Sequence, residues 1–276
     1  MAINLDDIKY FLKVSDSLNV TRASEQLGIT QPALSYSLKR LEQELGGELL
    51  IRLKNGIQLT KLGEEFKERC HKIIFEWESA QKIFHNDGEG VKGEYKIAIH
   101  PSVALFSLDQ FLPQVAAKFP LLNFKLIHGL SREMTEKVIS WEADFGIVVN
   151  PIEHPDLTIR ELYKDEVTIF GTKNCAKKLI MDPELAQTKF ILKGLKKNSP
   201  KDYITTGSLE VVFNLASAGL GLGLLPSSIA RANSSLKPLK DAPKFYDRIC
   251  LIYRREKHKN EVSKFIFDTI VKNLSH

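Results

Sequence analysis

At the start of the chain the apolar positions fall at helical spacing in successive blocks. Leu5, Ile8, Phe11, Leu12 and Leu18 outline one amphipathic helix. Ala23, Leu27 and Ile29, then Leu34, Leu38, Leu41 and Leu45, outline two more, broken by Gly28. Thr30 stands where an N-cap oxygen is expected, and Pro32 follows in the first turn, where its missing N–H costs nothing. The spacing therefore predicts helix, tight turn, helix, with the preceding helix completing a three-helix core. With the four leucines turned inward, the outward set is Gln31, Pro32, Ser35, Tyr36 and Lys39. Gln31 and Ser35 suit base edges in the major groove, while Lys39 and the helix start suit phosphates. A reading head for duplex DNA fits this face; a small helical domain that merely contains such a turn is the alternative.

Downstream, Ile51–Leu59 (IRLKNGIQL) carries Asn55-Gly56, the strongest short-range hairpin signal in the chain. From Leu59 a long helical pattern runs to near Asn86. Leu62, Phe66, Cys70, Ile73, Trp77, Ala80 and Phe84 are spaced three or four apart, a stripe that wants a partner helix, while Lys61, Glu65, Glu68, Arg69, Lys72 and Glu76 charge the other faces. The polar, glycine-rich Asn86-Asp87-Gly88-Glu89-Gly90 then reads as a hinge and domain boundary.

Beyond the hinge, strand and helix patterns alternate. Tyr95–His100, Asn123–His128 and Asp144–Val149 read as strands, with helices over Leu108–Phe119 and around Glu133–Trp141. This is βαβ spacing and predicts an open, mostly parallel sheet. Such sheets bind ligands outside the carboxyl ends of their strands, here His100–Val103, Gly129–Ser131 and Val149–Pro151. Ser102, with the N–H groups of the helix after it, makes an anion or polar-group clamp that Ser131 and Asn150 would complete; the other reading is that Ser102 simply caps that helix.

Composition changes this picture only modestly. The chain has 276 residues, 43% of them hydrophobic and 26% charged, enough for about two folded domains. A formal net charge of +5 permits a nucleic-acid partner without demanding one. Around the reading head the basic residues are offset by Glu25, Glu42, Glu44 and Glu48, so one head is a weak electrostatic footprint and a dimer would double the phosphate contacts. The polar opening MAINLDD argues against a signal peptide or membrane anchor, and the expected location is cytoplasmic. Cys70, Cys175 and Cys250 are too few and too scattered for a disulfide framework or a zinc site. The seven histidines show no close ligand spacing, and hydrolase, metalloprotease and phosphate-loop motifs are absent. Neither a metal nor any other cofactor is expected, and neither is catalysis. The glycines of Ser217–Pro226 (SAGLGLGLLP) read as a tight helix-to-strand passage, not a dinucleotide loop.

Leu5 to Gly63 resembles the N-terminal domain of the LysR-type transcriptional regulators. The shared text is a first helix resembling the family's L-x-x-F opening, AxxxLxxxQPALSxxLKxLExxLGxxLLxR at Ala23–Arg52, and LT-x-x-G at Leu59–Gly63. The resemblance continues more faintly through GEYKIAI at Gly93–Ile99, Phe111–Gly129, the strand ending ADFGIVV, and SAGLGLGLLP. It implies an α/β protein with an N-terminal winged helix-turn-helix (residues 1–60), a long linker helix and hinge (61–90), and a C-terminal two-lobed domain like periplasmic binding proteins (91–276). Lobe I would be about 93–160 plus 255–276, and lobe II about 161–254.

On this resemblance the DNA-contacting set is Thr21, Arg22, Thr30, Gln31, Pro32, Ser35, Tyr36 and Lys39, joined by Arg52, Lys54 and Asn55 from the wing. The effector set is His100, Ser102, Val103, Gly129, Ser131, Asn150, Thr205 and Thr206, and the dimer face is Leu62, Phe66, Ile73, Trp77 and Phe84. The implied partners are operator DNA, a small polar or anionic effector, further copies of the chain in a homodimer or homotetramer, and RNA polymerase, with no membrane. Between Phe190–Gly194 and Tyr203–Ser208 the family has a further helix and loop where this chain has only Leu195–Asp202, so lobe II is expected to be short. The competing reading is an effector-independent regulator, or a binding module with a degenerate second lobe.

Overall fold

The computed structural model describes residues 4–53, 56–84, 91–195 and 202–275; for 78, 79, 81–84, 258 and 259 the backbone alone is described. Two compact units emerge, Met1–Lys92 with Ser140–Glu142, and Gly93–Ile139 with Ala143–His276.

In the first unit, α1 (Leu5–Ser17) starts from a capping box in which the Asn4 side chain accepts from Asp6 N–H and Asp7 reaches back to the Asn4 backbone. It stops at Leu18, whose φ of 49° is left-handed. Leu18 is therefore a helix end and exposed, not the last rung of the apolar face that its spacing predicts. Helix α2 (Val20–Leu27) is capped by Asn19 and closed by Gly28 at φ 69°, and α3 (Gln31–Leu45) starts from Thr30, whose hydroxyl accepts from Ala33 N–H. Leu34, Leu38 and Leu41 are buried with Phe11, Leu12 and Ala23. Leu45 is not: it ends the helix beside Gly46 and is exposed.

Strands β1 (Leu50–Leu53) and β2 (Gly56–Leu59) form an antiparallel hairpin closed by the pair Leu53 and Gly56, which makes Gly56 a strand residue and not the turn residue its dipeptide suggests. Its φ is 141°, and a Cβ there would lie 2.9 Å from the Leu18 carbonyl oxygen. The connecting Lys54 and Asn55 lie outside the described residues. Helix α4 (Lys61–Phe84) begins as Thr60 accepts from Gly63 N–H at 2.9 Å. Any Cβ on Gly63 would stand 2.1 Å from the Leu49 carbonyl oxygen, which explains the LT-x-x-G text. The hinge at 86–90 lies outside the described residues.

The second unit runs β3 (Gly93–Ile99), α5 (Pro101–Lys118), β4 (Leu122–His128), α6 (Ser131–Ile139), β5 (Phe145–Val149), β6 (Leu157–Gly171), β7 (Leu179–Met181), α7 (Ala186–Leu195), β8 (Tyr203–Thr205), α8 (Leu209–Ser217), β9 (Leu222–Pro226), α9 (Ser227–Ala230), β10 (Lys237–Pro238), β11 (Phe245–Arg254) and α10 (Glu261–Leu274). All nine strands share one sheet, ordered β4-β3-β5-β11-β6-β9-β7-β8, with β10 on β6. The three predicted strands are parallel, β3 with β4 and β5, and so are β7, β8 and β9, whose pairing was not predicted. The centre is antiparallel, so the sheet is mixed and not mostly parallel. Its long strands β6 and β11 carry the chain between the two halves in opposite senses and pair with one another along most of their length. Helix α5 starts seven positions before the predicted Leu108, because Pro101 is tolerated in a first turn and Val103 and Ala104 N–H both donate to the His100 carbonyl. Phe190–Gly194 lies within α7, and 196–201, most of the segment expected to be short, falls outside the described residues. Among the described residues no helix is long and apolar enough to cross a membrane.

Candidate functional site

The exposed start of α3 is held from beneath by a polar network that links it to α1. Asp7, only 2% exposed, accepts from Arg40 Nη2 on both carboxylate oxygens, at 2.5 and 2.6 Å, and from Ser37 Oγ on Oδ1. A buried carboxylate needs such donors, and their placement on one face of α3 fixes that helix's rotation against α1. At the other end, Glu42 Oε1 accepts from Leu49 and Leu50 N–H at 2.8 and 3.1 Å, tying the end of α3 to the hairpin. Neither Asp7 nor Ser37 was singled out by the sequence reading, and Glu42 figured there only as a charge offsetting the basic residues. Asp7 stands in the first turn of α1, and its partner Ser37 lies thirty positions away.

Above that support, Thr21, Arg22, Thr30, Gln31, Pro32, Tyr36 and Lys39 are all exposed, and Ser35 is half-buried. Gln31 Nε2 donates to Ser35 Oγ at 3.1 Å, one turn along the helix, so the two polar groups are presented together. Tyr36 is 69% exposed, unusual for an aromatic side chain with no solvent-facing task. Arg52 is exposed on β1; Lys54 and Asn55 lie outside the described residues. Of the helical stripe on α4, Leu62, Ile73 and Trp77 are exposed, whereas Phe66 packs against Phe11 at 5.3 Å between ring centroids and Cys70 is buried in the same core. Of Phe84 only the backbone is described.

In the second unit a cavity of about 160 Å³ opens where the strand ends of both halves face the antiparallel centre. His100, Ser102, Val103, Ser131 and Asn150 from the predicted set line it. Gly129, Thr205 and Thr206 do not; Thr206 Oγ1 instead accepts from Ser208 N–H at 3.2 Å. His128, at the end of β4, is exposed and also lies off the wall. Ser102 lies in the first turn of α5 with its hydroxyl 2.7 Å from His100 Nδ1, Ser131 Oγ accepts from Val149 N–H at 2.9 Å, and Asn150 is held at both ends of its amide. With Pro101 lacking an N–H, and Val103 and Ala104 donating to His100, the start of α5 has few donors left for an anion.

The sequence reading missed the other wall. Tyr163 and Asp165 on β6, Asp247 on β11, Gln187 on α7 and Ser228 on α9 line the same cavity. Asp165 and Asp247 stand directly opposite one another in the β6–β11 register. Ser228 satisfies Asp165 through its backbone N–H at 3.1 Å and its hydroxyl at 2.5 Å. Asp247 accepts from Asn150 Nδ2 at 2.6 Å. Burial pushes Asp247 up to about 6, against the Asn150 hydrogen bond and helped by the charge of Asp165. It also raises Asp165, opposed chiefly by Ser228 and by the charge of Arg231. Burial lowers His100, which favours its neutral imidazole, and pushes the Tyr163 hydroxyl up to about 12. The cavity is thus a polar slot with two carboxylates on its wall and mostly apolar flanks.

Residues 5–64 match the family described as bacterial regulatory helix-turn-helix protein, lysR family, and residues 88–274 match the LysR substrate binding domain. The nitrogen assimilation regulatory protein nac of Escherichia coli (strain K12) is 29% identical over 252 residues, 83% of this chain and 80% of that protein. ArgP from Mycobacterium tuberculosis has a similar fold, with a TM-score of 0.75 at 15% identity over 98% of this chain and 96% of that one. Full-length LysG from Corynebacterium glutamicum, solved with bound effector Arg, gives 0.72 at 16% identity over 98% of each chain.

Proposed function

This chain belongs to the LysR family of bacterial helix-turn-helix regulators, and on that premise we propose that it binds specific operator DNA through the start of α3 and senses a small polar molecule in the cavity at the β6–β11 centre. As a member of that family it is a DNA-binding transcription regulator and not an enzyme. The observation that carries the operator reading is the exposed Gln31 coupled to the half-buried Ser35 on a helix whose rotation is set by the buried Asp7. Gln31 is the base reader, because a carboxamide pairs bidentately with adenine, while Lys39 and Arg52 are phosphate contacts common to any sequence. Residues 1–60 form the reading head, 61–90 the linker and 91–276 the sensing region.

The exposed Leu62, Ile73 and Trp77 on α4 support assembly through that helix into a dimer or a dimer of dimers, which would supply the phosphate contacts that one nearly neutral head lacks. The work is done in the cytoplasm, on the chromosome and in reach of RNA polymerase. Effector control requires that the ligand bind two arrangements of the assembly unequally. LysG, a relative in fold, was solved with an effector bound, which supports reading the cavity in the same way here. The test is an anisotropy titration of the full chain on fragments from upstream of its own gene. Tight binding to one fragment, lost on scrambling it, is expected; equal affinity for all duplexes at fixed salt would refute the operator reading.

A further inference from the structure

We propose that the cavity recognises a small amphipathic molecule through a protonated amine seated against Asp247 and Asp165. This rests on the cavity being the effector site, and it names the chemistry that the site selects.

The register of β6 and β11 sets two carboxylates directly opposite one another, an arrangement that repels when both are ionised. Among the lining residues no lysine or arginine offsets them; Arg231 acts on Asp165 from an exposed position outside the wall. Asp165 has its donors from Ser228. Asp247 does not have its full set: the side chain is in a residue 3% exposed, one oxygen accepts from Asn150, and no donor among the described residues reaches Oδ2. A nearly buried carboxylate oxygen on a cavity wall suits a hydrogen-bonding cation, which brings the donor and the opposite charge together. An anion there would add a third negative charge to two already opposed.

Other groups refine the class. The His100 imidazole favours its neutral form, so it supplies a hydrogen bond and no charge to attract an acid. Val103, Leu130, Leu209 and Ile249 give the slot apolar flanks. A volume near 160 Å³ is in the range that admits a benzene-sized guest, about six heavy atoms, which favours a short amine over a long polyamine. The groups facing Asp247 make the protein's share of the pH dependence one-sided. Asp247 takes up a proton below about 6, protonation of His100 at low pH repels a cation too, Asp165 loses its charge in acid, and the Tyr163 hydroxyl stays protonated throughout. Amine affinity is therefore flat near neutral pH, falls below about 6 by up to tenfold per pH unit for each proton displaced, and falls again above the pKa of the ligand's own ammonium group.

The experiment titrates the full chain with ethanolamine and glycinamide, their neutral counterparts ethylene glycol and glycolamide, and the anion glycolate, each up to about 10 mM. Calorimetry reads affinity. The His100 imidazole resonance, assigned by its loss in His100→Gln, reads occupancy of the cavity by any class. At least one amine is expected to bind about tenfold or more tighter than its neutral counterpart, to shift the His100 signal, to weaken below pH 6, and to lose its advantage in Asp247→Asn. If the neutral or anionic probe shifts His100 and the amines do not, the amine proposal fails while the effector cavity stands. If no probe of any class shifts His100 in the folded chain, both fail.

Discussion

Replacing Asp247 by Asn should stabilise the unliganded chain at neutral pH, although it removes a buried hydrogen-bonding carboxylate. In the folded chain burial lifts this acid from its ordinary 3.8 to about 6. At ~1.4 kcal/mol per pH unit, keeping it ionised when folded therefore costs about 3 kcal/mol. The sign follows from proton counts. Between 3.8 and about 6 the folded state holds the proton and the unfolded state does not, so the wild type loses stability as pH rises through that window, and the cost is complete above it. Asparagine is nearly isosteric, does not titrate, and keeps an oxygen for Asn150 Nδ2. Asp247→Asn should then gain about 3 kcal/mol at pH 8 and about half of that near pH 5, with little gain near pH 4. Urea unfolding of both proteins at those values, followed by circular dichroism, measures the difference. A gain that is absent at pH 8, or equal at pH 8 and pH 5, would refute the assignment of an uncompensated buried charge to Asp247.

Other expectations concern the first unit. Gly63→Ala puts a methyl group 2.1 Å from the backbone oxygen of Leu49, which no rotamer change relieves, and should cost about 2–4 kcal/mol in the unfolding of that unit. Gln31→Ala should reduce the ratio of operator to random-duplex affinity by about tenfold, whereas Lys39→Ala should weaken both alike and lower the salt slope by about one; equal losses on all DNA from Gln31→Ala would remove it as a base reader. Ile73→Glu with Trp77→Glu should convert the assembly towards monomer, read by light scattering, with loss of operator binding while far-ultraviolet circular dichroism is unchanged. An undiminished dimer would move the interface off that face of α4.

The helical head was legible in the sequence because its determinants are local. Thr30, Gly28 and Pro32 sit within a few residues of the ends they set, and the Leu34, Leu38 and Leu41 spacing declares its own buried face. Even the departures have a local cause: Leu18 and Leu45 keep the spacing of a core face but fall where the helix ends. What spacing does not reveal is partnership across the chain. Asp7 looks like a first-turn acid until α3 brings Ser37 and Arg40 over it. Asp165 and Asp247 look like ordinary strand acids until the β6–β11 register faces them together. For the same reason the cavity was found from its parallel-strand side, through His100, Ser102 and Asn150, and its acidic side went unseen. The alternation of strand and helix signals parallel βαβ units, and it says nothing of the two long strands that cross between them. The mixed sheet is therefore visible only once β6 and β11 are paired.

The central claim, that the start of α3 reads operator sequence, is tested most directly by measuring the dissociation constant of the full chain for its selected upstream duplex and for a scrambled duplex of equal length, at one salt concentration. The account predicts a ratio on the order of a thousand or more for the wild type, cut by about tenfold in Gln31→Ala. A ratio near one for the folded wild-type assembly would contradict it.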